Sequence, residues 1–196
     1  MCDAVEGRFL SEVDVPGLLS AASRAQDDGV DVVFLTDDAL GDAIVLAAGL
    51  ASSTATAGLL LGVRIGLGSR PHRHPTVLAR EMTTLDHVSG GRSLLAFMGP
   101  FAGLLAEGTS EAIILCREMW RTGTAISDGP LYPAAGAINR PLPARPGGPP
   151  IALDLTDGAV PPPDLLDLTD LVLVPAGAAP PADLPAGVGV CRIRPA

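Results

Sequence analysis

Apolar positions in the first 125 or so residues switch repeatedly between two periods. Val5 to Phe9 has the make-up of a short strand. Pro16 to Asp28 has helical spacing, with Leu18, Leu19, Ala22 and Ala25 on one side and Pro16 early, where proline is tolerated. Gly29 stops that helix, and Asp31 to Leu35 follows as a compact run of β formers, as expected of a strand buried on both faces. The alternation continues with a helix over Gly41 to Ala51, a strand over Leu59 to Ile65 and an amphipathic helix over Pro75 to His87. A strand over Ser93 to Met98 and a helix over Ser110 to Arg121, with Ser110 as its N-cap, complete the series. Helices alternating with short apolar strands predict a parallel α/β sheet or barrel.

The pattern changes after Thr122. Ala125 to Pro150 is rich in proline and glycine and has little periodicity, which predicts a loop or arm. Three more strands are expected at Pro150 to Leu155, Asp170 to Val174 and Gly187 to Ile193, with at most a turn or two of helix between them. A complete eightfold barrel typically takes about 250 residues, against 196 here. The predicted fold is therefore α/β, a (β/α)8 TIM-barrel-like architecture that is incomplete, with a degenerate second half and its last strand lost. It forms one domain: residues 1–125 as the first part of the barrel, 126–149 as the arm, 150–196 as the reduced remainder. A second half stripped of helices is expected to expose apolar sheet, and so to call for a homodimer or a heterodimer with a related barrel.

Composition narrows the function. The chain is 47% hydrophobic but only 3% aromatic, so its core is aliphatic. A net charge of -9 argues against nucleic acid as a partner. Every basic residue is arginine, which excludes Schiff-base chemistry on a lysine. Cys2, Cys116 and Cys191 are far apart and show no metal or redox spacing, the usage of a reduced cytoplasmic protein. No basic segment followed by an apolar run marks a secretory leader. The 21 uncharged residues between Asp42 and Arg64 are long enough to cross a bilayer, but Ser52 to Thr56 interrupts them, and no membrane partner is expected. His72, His74 and His87 do not form a metal-ligand pattern, and no Gly-x-Ser-x-Gly elbow supports a serine hydrolase.

The run Arg73-His74-Pro75, continuing through Thr84-Leu85-Asp86-His87-Val88-Ser89-Gly90-Gly91-Arg92, resembles the signature of the luciferase-like flavin- or deazaflavin-dependent oxidoreductases. Gly29 to Phe34, Leu61-Gly62-Val63, Glu111 to Trp120, and Arg145-Pro146 through Ile151 resemble further pieces in the expected order. The resemblance is specific over roughly residues 16 to 125. It implies a β/α barrel that uses reduced FMN or coenzyme F-420 for monooxygenation or hydride transfer on a small organic substrate. Asp86 and Arg92 themselves read as a clamp on the turn into a strand, with Gly90-Gly91 allowing positive φ.

In such barrels the site lies at the C-terminal strand ends. After the second strand stand Asp37 and Asp38, where F-420-dependent relatives often carry Asp-His; the two acids equally suit a helix N-cap and its solvated neighbour. The resemblance implies Gly62, Val63, Arg64 and Ile65 of the third strand as cofactor contacts, with a non-proline cis peptide near them. Arg64, Arg70 and Arg73 are the best anion-binding candidates. After the fourth strand come Met98 and Gly99 as cofactor contacts and Glu107 as an acid. Asp37, Asp38 and Glu107 are the candidate catalytic groups. The alternative is a non-catalytic flavin-binding or partner subunit of a full-length enzyme, because the second-strand histidine is missing and no phosphate-binding stretch follows Pro150.

Overall fold

The structure is a computed structural model that describes residues 5–10, 14–36, 42–64 and 73–194. In chain order the first elements are β1 (Val5–Phe9), α1 (Val15–Asp27), β2 (Val32–Thr36), α2 (Ala43–Ser53), β3 (Gly58–Arg64), α3 (Pro75–Val88) and β4 (Ser93–Met98). Then follow α4 (Leu104–Thr122), β5 (Thr124–Ser127), β6 (Ala134–Ile138), β7 (Ile151–Asp154), α5 (Pro163–Leu166), β8 (Leu171–Pro175) and β9 (Gly189–Arg194). Seven parallel strands close into a barrel in the order β1-β2-β3-β4-β7-β8-β9. Closure comes from β1 on β9, with Val5 opposite Cys191 and Gly7 opposite Ile193. The seven strands expected from the sequence are present, and among the described residues they close into a full barrel.

The strand period of two divides the apolar residues into two cores. Val32, Phe34, Leu60, Ala96, Ala152, Leu173, Cys191 and Ile193 fill the barrel. Their neighbours, such as Leu61, Val63, Phe97 and Leu153, point outward and pack under the helices. Cys116 and Cys191 are buried, and burial pushes each thiol up to about 12, so neither is a nucleophile near neutral pH.

Local chemistry explains the helix starts. Asp14 caps α1 by accepting from the Gly17 amide, and Asp42 caps α2 through the Ile44 and Val45 amides. Pro75 begins α3, where its missing N–H costs nothing. The α4 start differs from the expectation at Ser110. The helix begins at Leu104, Gly103 occupies the cap position, and the Ser110 hydroxyl donates back to the Ala106 carbonyl. The buried face of α4 already includes Ala106, Gly108 and Thr109, so the helical period runs through Ser110. The uncharged stretch after Asp42 divides into α2 and β3, and the Gln26 side-chain oxygen accepts from the Ala55 and Thr56 amides at the turn between them. Among the described residues no helix is long and apolar enough to cross a membrane.

The Pro/Gly-rich arm is also more ordered than its composition suggests. β5 and β6 form an antiparallel hairpin packed on α4 and α3. Buried Asn139 donates to the Thr83 hydroxyl and the Met119 carbonyl. Gly148, at φ +92, lies flat on the indole of Trp120.

The second half keeps little helix but does not leave its sheet bare. The outward residues of β7 and β8, Ile151, Leu153, Val172 and Val174, are buried beneath Leu165, Leu166 and neighbouring loop side chains. The outer face of β9 and β1 is polar instead: Arg194 pairs with Glu6, Arg8 with Asp28, and Arg192 donates to the Ala178 carbonyl.

The Asp86-to-Arg92 run is a clamp at the N-terminal end of the barrel. Asp86 is fully buried; it accepts from the Ser93 hydroxyl at 2.9 Å and the Arg145 amide at 2.8 Å. Arg92 donates to the carbonyls of Ala51, Thr54, Ala57 and Ser89 and to the Thr54 hydroxyl. Burial lowers its pKa, the mark of a guanidinium drawn out of water.

Candidate functional site at the barrel mouth

The opposite, C-terminal rim carries polar groups at the strand ends. Register builds the site there. Arg64 lies opposite Met98 on the next strand, and Met98 opposite Asp154 on the one after. Strand alternation carries all three to the inner face, above Leu60, Ala96 and Ala152. Beneath this row the barrel is shut. A Cβ added at Gly62 would sit 2.8 Å from Met98 Sδ and 2.9 Å from Phe34 Cε2, so these two side chains meet over the glycine. Phe9 meets the Phe34 ring edge-on, with centroids 5.6 Å apart.

The row has distinct electrostatics. The Arg64 guanidinium donates to the Gly99 carbonyl at 2.8 Å, tying the third strand end to the fourth. Asp154 is only 5% exposed, and its Oδ1 accepts from the Thr156 amide at 2.9 Å and the Thr156 hydroxyl at 2.7 Å. Burial raises the Asp154 pKa; the Thr156 hydrogen bonds and the Arg64 charge pull against that, while Asp157 adds to it. The mouth therefore holds a fixed cation beside a carboxyl that keeps its proton to higher pH than usual.

The sequence candidates fall into three groups. Gly62, Arg64, Met98 and Gly99 come together at the mouth. Val63 turns its side chain into the outer core, so that side chain does not line the mouth. Glu107 is exposed in the first turn of α4, in a cleft of about 480 Å³ shared with Ser110, Pro162 and Asp164. Asp37, Asp38, Ile65 and Arg70 lie outside the described residues. Arg73 is engaged by Asp42 and by Glu81, the latter at 2.9 Å. Between Gly62 and Arg64 every peptide is trans; the cis bonds of the described residues are Gly99-Pro100 and Arg140-Pro141. Sequence reasoning missed Asp154 and Thr156. The available signal was a strand, Ile151–Asp154, ending on an acid two residues after an inward alanine.

Comparison with known proteins bears on this geometry. The family model of luciferase-like monooxygenases matches residues 6–98, from the first strand to the end of the fourth. Over this stretch the chain is similar to the luciferase-like monooxygenase family. Solved structures extend the likeness beyond it, as fold. The chain is 18% identical to the coenzyme F-420-dependent tetrahydromethanopterin reductase from Methanopyrus kandleri, at a TM-score of 0.72, covering 89% of this chain and 56% of that one. It is 16% identical to the EDTA monooxygenase of a Chelativorans species, at a TM-score of 0.69, covering 87% and 53%. It is 15% identical to the oxygenating constituent of 3,6-diketocamphane monooxygenase from Pseudomonas putida, solved with FMN, at a TM-score of 0.65, covering 88% and 57%. The chain thus spans a little over half the length of these structures. No match is found among curated proteins.

Proposed function

We propose that this chain is a luciferase-like oxidoreductase that holds reduced FMN or coenzyme F-420 at the barrel mouth and acts on a small organic substrate. The observation that carries this reading is the pairing of Arg64 with Asp154 at the rim of an apolar floor made by Phe34 and Met98 over Gly62. These residues fit a flavin or deazaflavin ring. The floor is apolar, with Met98 and Phe34 closing over Gly62, which suits a flat aromatic face. Arg64 supplies a positive charge for the electron-rich pyrimidine edge, and Asp154 with Thr156 supplies hydrogen-bonding groups. When bound, such a cofactor supplies hydride transfer or oxygen chemistry. The chain's own part is to seat the ring, fix its edge with Arg64 and hold a proton on the Asp154 carboxyl. Asp37 and Asp38, which follow Thr36 at the adjoining strand end, and Glu107 on α4 are the further acids of this proposal.

The test is equilibrium dialysis of the purified chain with FMN and with F-420, followed by absorbance spectra. Binding of one of them, weakened at least about tenfold by Arg64→Ala, is the expected outcome for a lost charge-assisted contact. Absence of binding of either at high micromolar concentration overturns the reading.

A further inference from the structure

Beside the mouth, the loops leaving β7 and β8 enclose a cleft of about 740 Å³. Its volume lies within the usual span of small-molecule sites, roughly 300–1,000 Å³. Leu155, Val160, Val174 and Pro180 are among its lining residues, and most of the rest are alanine or proline. The walls are held by the chain itself. Gly158 N–H donates to Leu155 at 3.0 Å, and Ala159 N–H to Asp157 Oδ1 at 2.9 Å. Ala178 N–H donates to Pro175 at 3.0 Å, and the Ala178 carbonyl accepts from Arg192 at 2.6 Å. Prolines on both loops further restrict the backbone. The cleft is therefore preformed.

Its charge is one-sided. Among the described residues the ionisable side chains of the lining are Asp157 and Asp183, both exposed carboxylates. An anionic ligand would meet repulsion from these carboxylates, whereas an ammonium would find a carboxylate on either loop, the Arg192 guanidinium being tied to the Ala178 carbonyl. Thr156 connects the cleft to the mouth, because it lines the one and donates to Asp154 in the other.

We propose that this cleft takes an apolar molecule carrying one protonated amine, with the hydrocarbon between the two loops and the ammonium at the Asp157 and Asp183 carboxylates. As the substrate side of the oxidoreductase site the cleft rests on the preceding reading; its occupancy by an amine does not. The experiment titrates octylammonium, octanoate and 1-octanol into the cofactor-free full chain at physiological salt, read by amide chemical shifts. Octylammonium is expected to bind about tenfold or more tighter than octanoate, the combined effect of two exposed ion pairs. Shifts are expected at Gly158, Ala159, Ala178 and Ala179. Asp157→Asn combined with Asp183→Asn should remove the preference and leave octanol binding unchanged; asparagine can still accept from the Ala159 amide, so the loop is kept. Ala179→Trp should block all three probes. Equal binding of octanoate, shifts confined to other surfaces, or no binding at millimolar concentration overturns the proposal. Failure of FMN and F-420 to bind, with octylammonium still binding here, removes the cofactor reading and leaves the cleft standing.

Discussion

Replacing Arg92 with alanine tests whether the family signature is a structural clamp. The guanidinium makes five hydrogen bonds, at 2.8 Å to Ser89 O, 3.0 Å to Thr54 Oγ1, 2.8 Å to Ala57 O, 3.0 Å to Ala51 O and 3.1 Å to Thr54 O. Each such bond contributes about 0.5–1.5 kcal/mol net, so the set has a ceiling of several kcal/mol. The side chain is half-buried, and water can replace some of the lost donors. A destabilisation of about 3 kcal/mol is therefore expected, or a Tm lower by about 6–12 °C for a chain of this size. Arg92→Lys should recover less than half of the loss, because one ammonium cannot fork across carbonyls from the end of α2 to the end of α3. The assay is urea unfolding followed by far-ultraviolet circular dichroism. Arg80→Ala serves as control: Arg80 is exposed on α3, and its loss should change stability by less than about 0.5 kcal/mol. FMN affinity of folded Arg92→Ala should match the parent, since Arg92 precedes β4 at the end away from the mouth. A loss below about 1 kcal/mol, or full rescue by lysine, would refute the clamp.

Gly148→Ala combines a φ of +92 with a Cβ that would fall 2.4 Å from Trp120 Cε3; a loss of about 3 kcal/mol is expected, with a shifted emission of the single tryptophan. Unchanged emission and stability would count against that packing. For Asp154, burial raises the folded pKa, so the folded chain binds this proton more tightly than the unfolded one. Its contribution to stability is greatest at acid pH and declines as pH rises from the ordinary carboxylate value through the raised one. Asp154→Asn should therefore gain stability relative to the parent as pH rises above the ordinary carboxylate value of about 4 in urea titrations, and a pH-independent difference would be inconsistent with the shift. Gly62→Ala must push aside Met98 Sδ and Phe34, at a cost of about 1–3 kcal/mol, and should weaken FMN binding by raising the floor of the mouth; equal affinity in dialysis would argue against a ring seated there.

What was legible in the sequence divides along the barrel axis and along the chain. The first four strand–helix units could be read because each apolar run is bounded by a visible stop or start, such as Gly29 or Pro75, and each helix runs for three turns or more. The hairpin was hidden because Ala-Ala-Gly-Ala-Ile has little strand propensity; its place is set by tertiary contacts such as Asn139 to Thr83. Ser110 misled because a hydroxyl in mid-helix can satisfy itself on the carbonyl four residues back, which local sequence cannot distinguish from a cap. Closure by seven strands was equally invisible, since it depends on β9 reaching β1 and on charged outer residues that need no helical cover. Asp154 belongs to the same class of long-range fact. It joins Arg64 only because β7 takes the place beside β4, after α4 and the hairpin have intervened. The residues most easily recognised in this family, Asp86 to Arg92, thus hold the bottom of the barrel together. The groups able to act on a ligand sit on the opposite rim, where their meaning depends on register. A chain can satisfy the signature fully whatever its rim has become, so binding experiments on Arg64, Asp154 and Gly62 decide the function, and experiments on Arg92 decide only the fold.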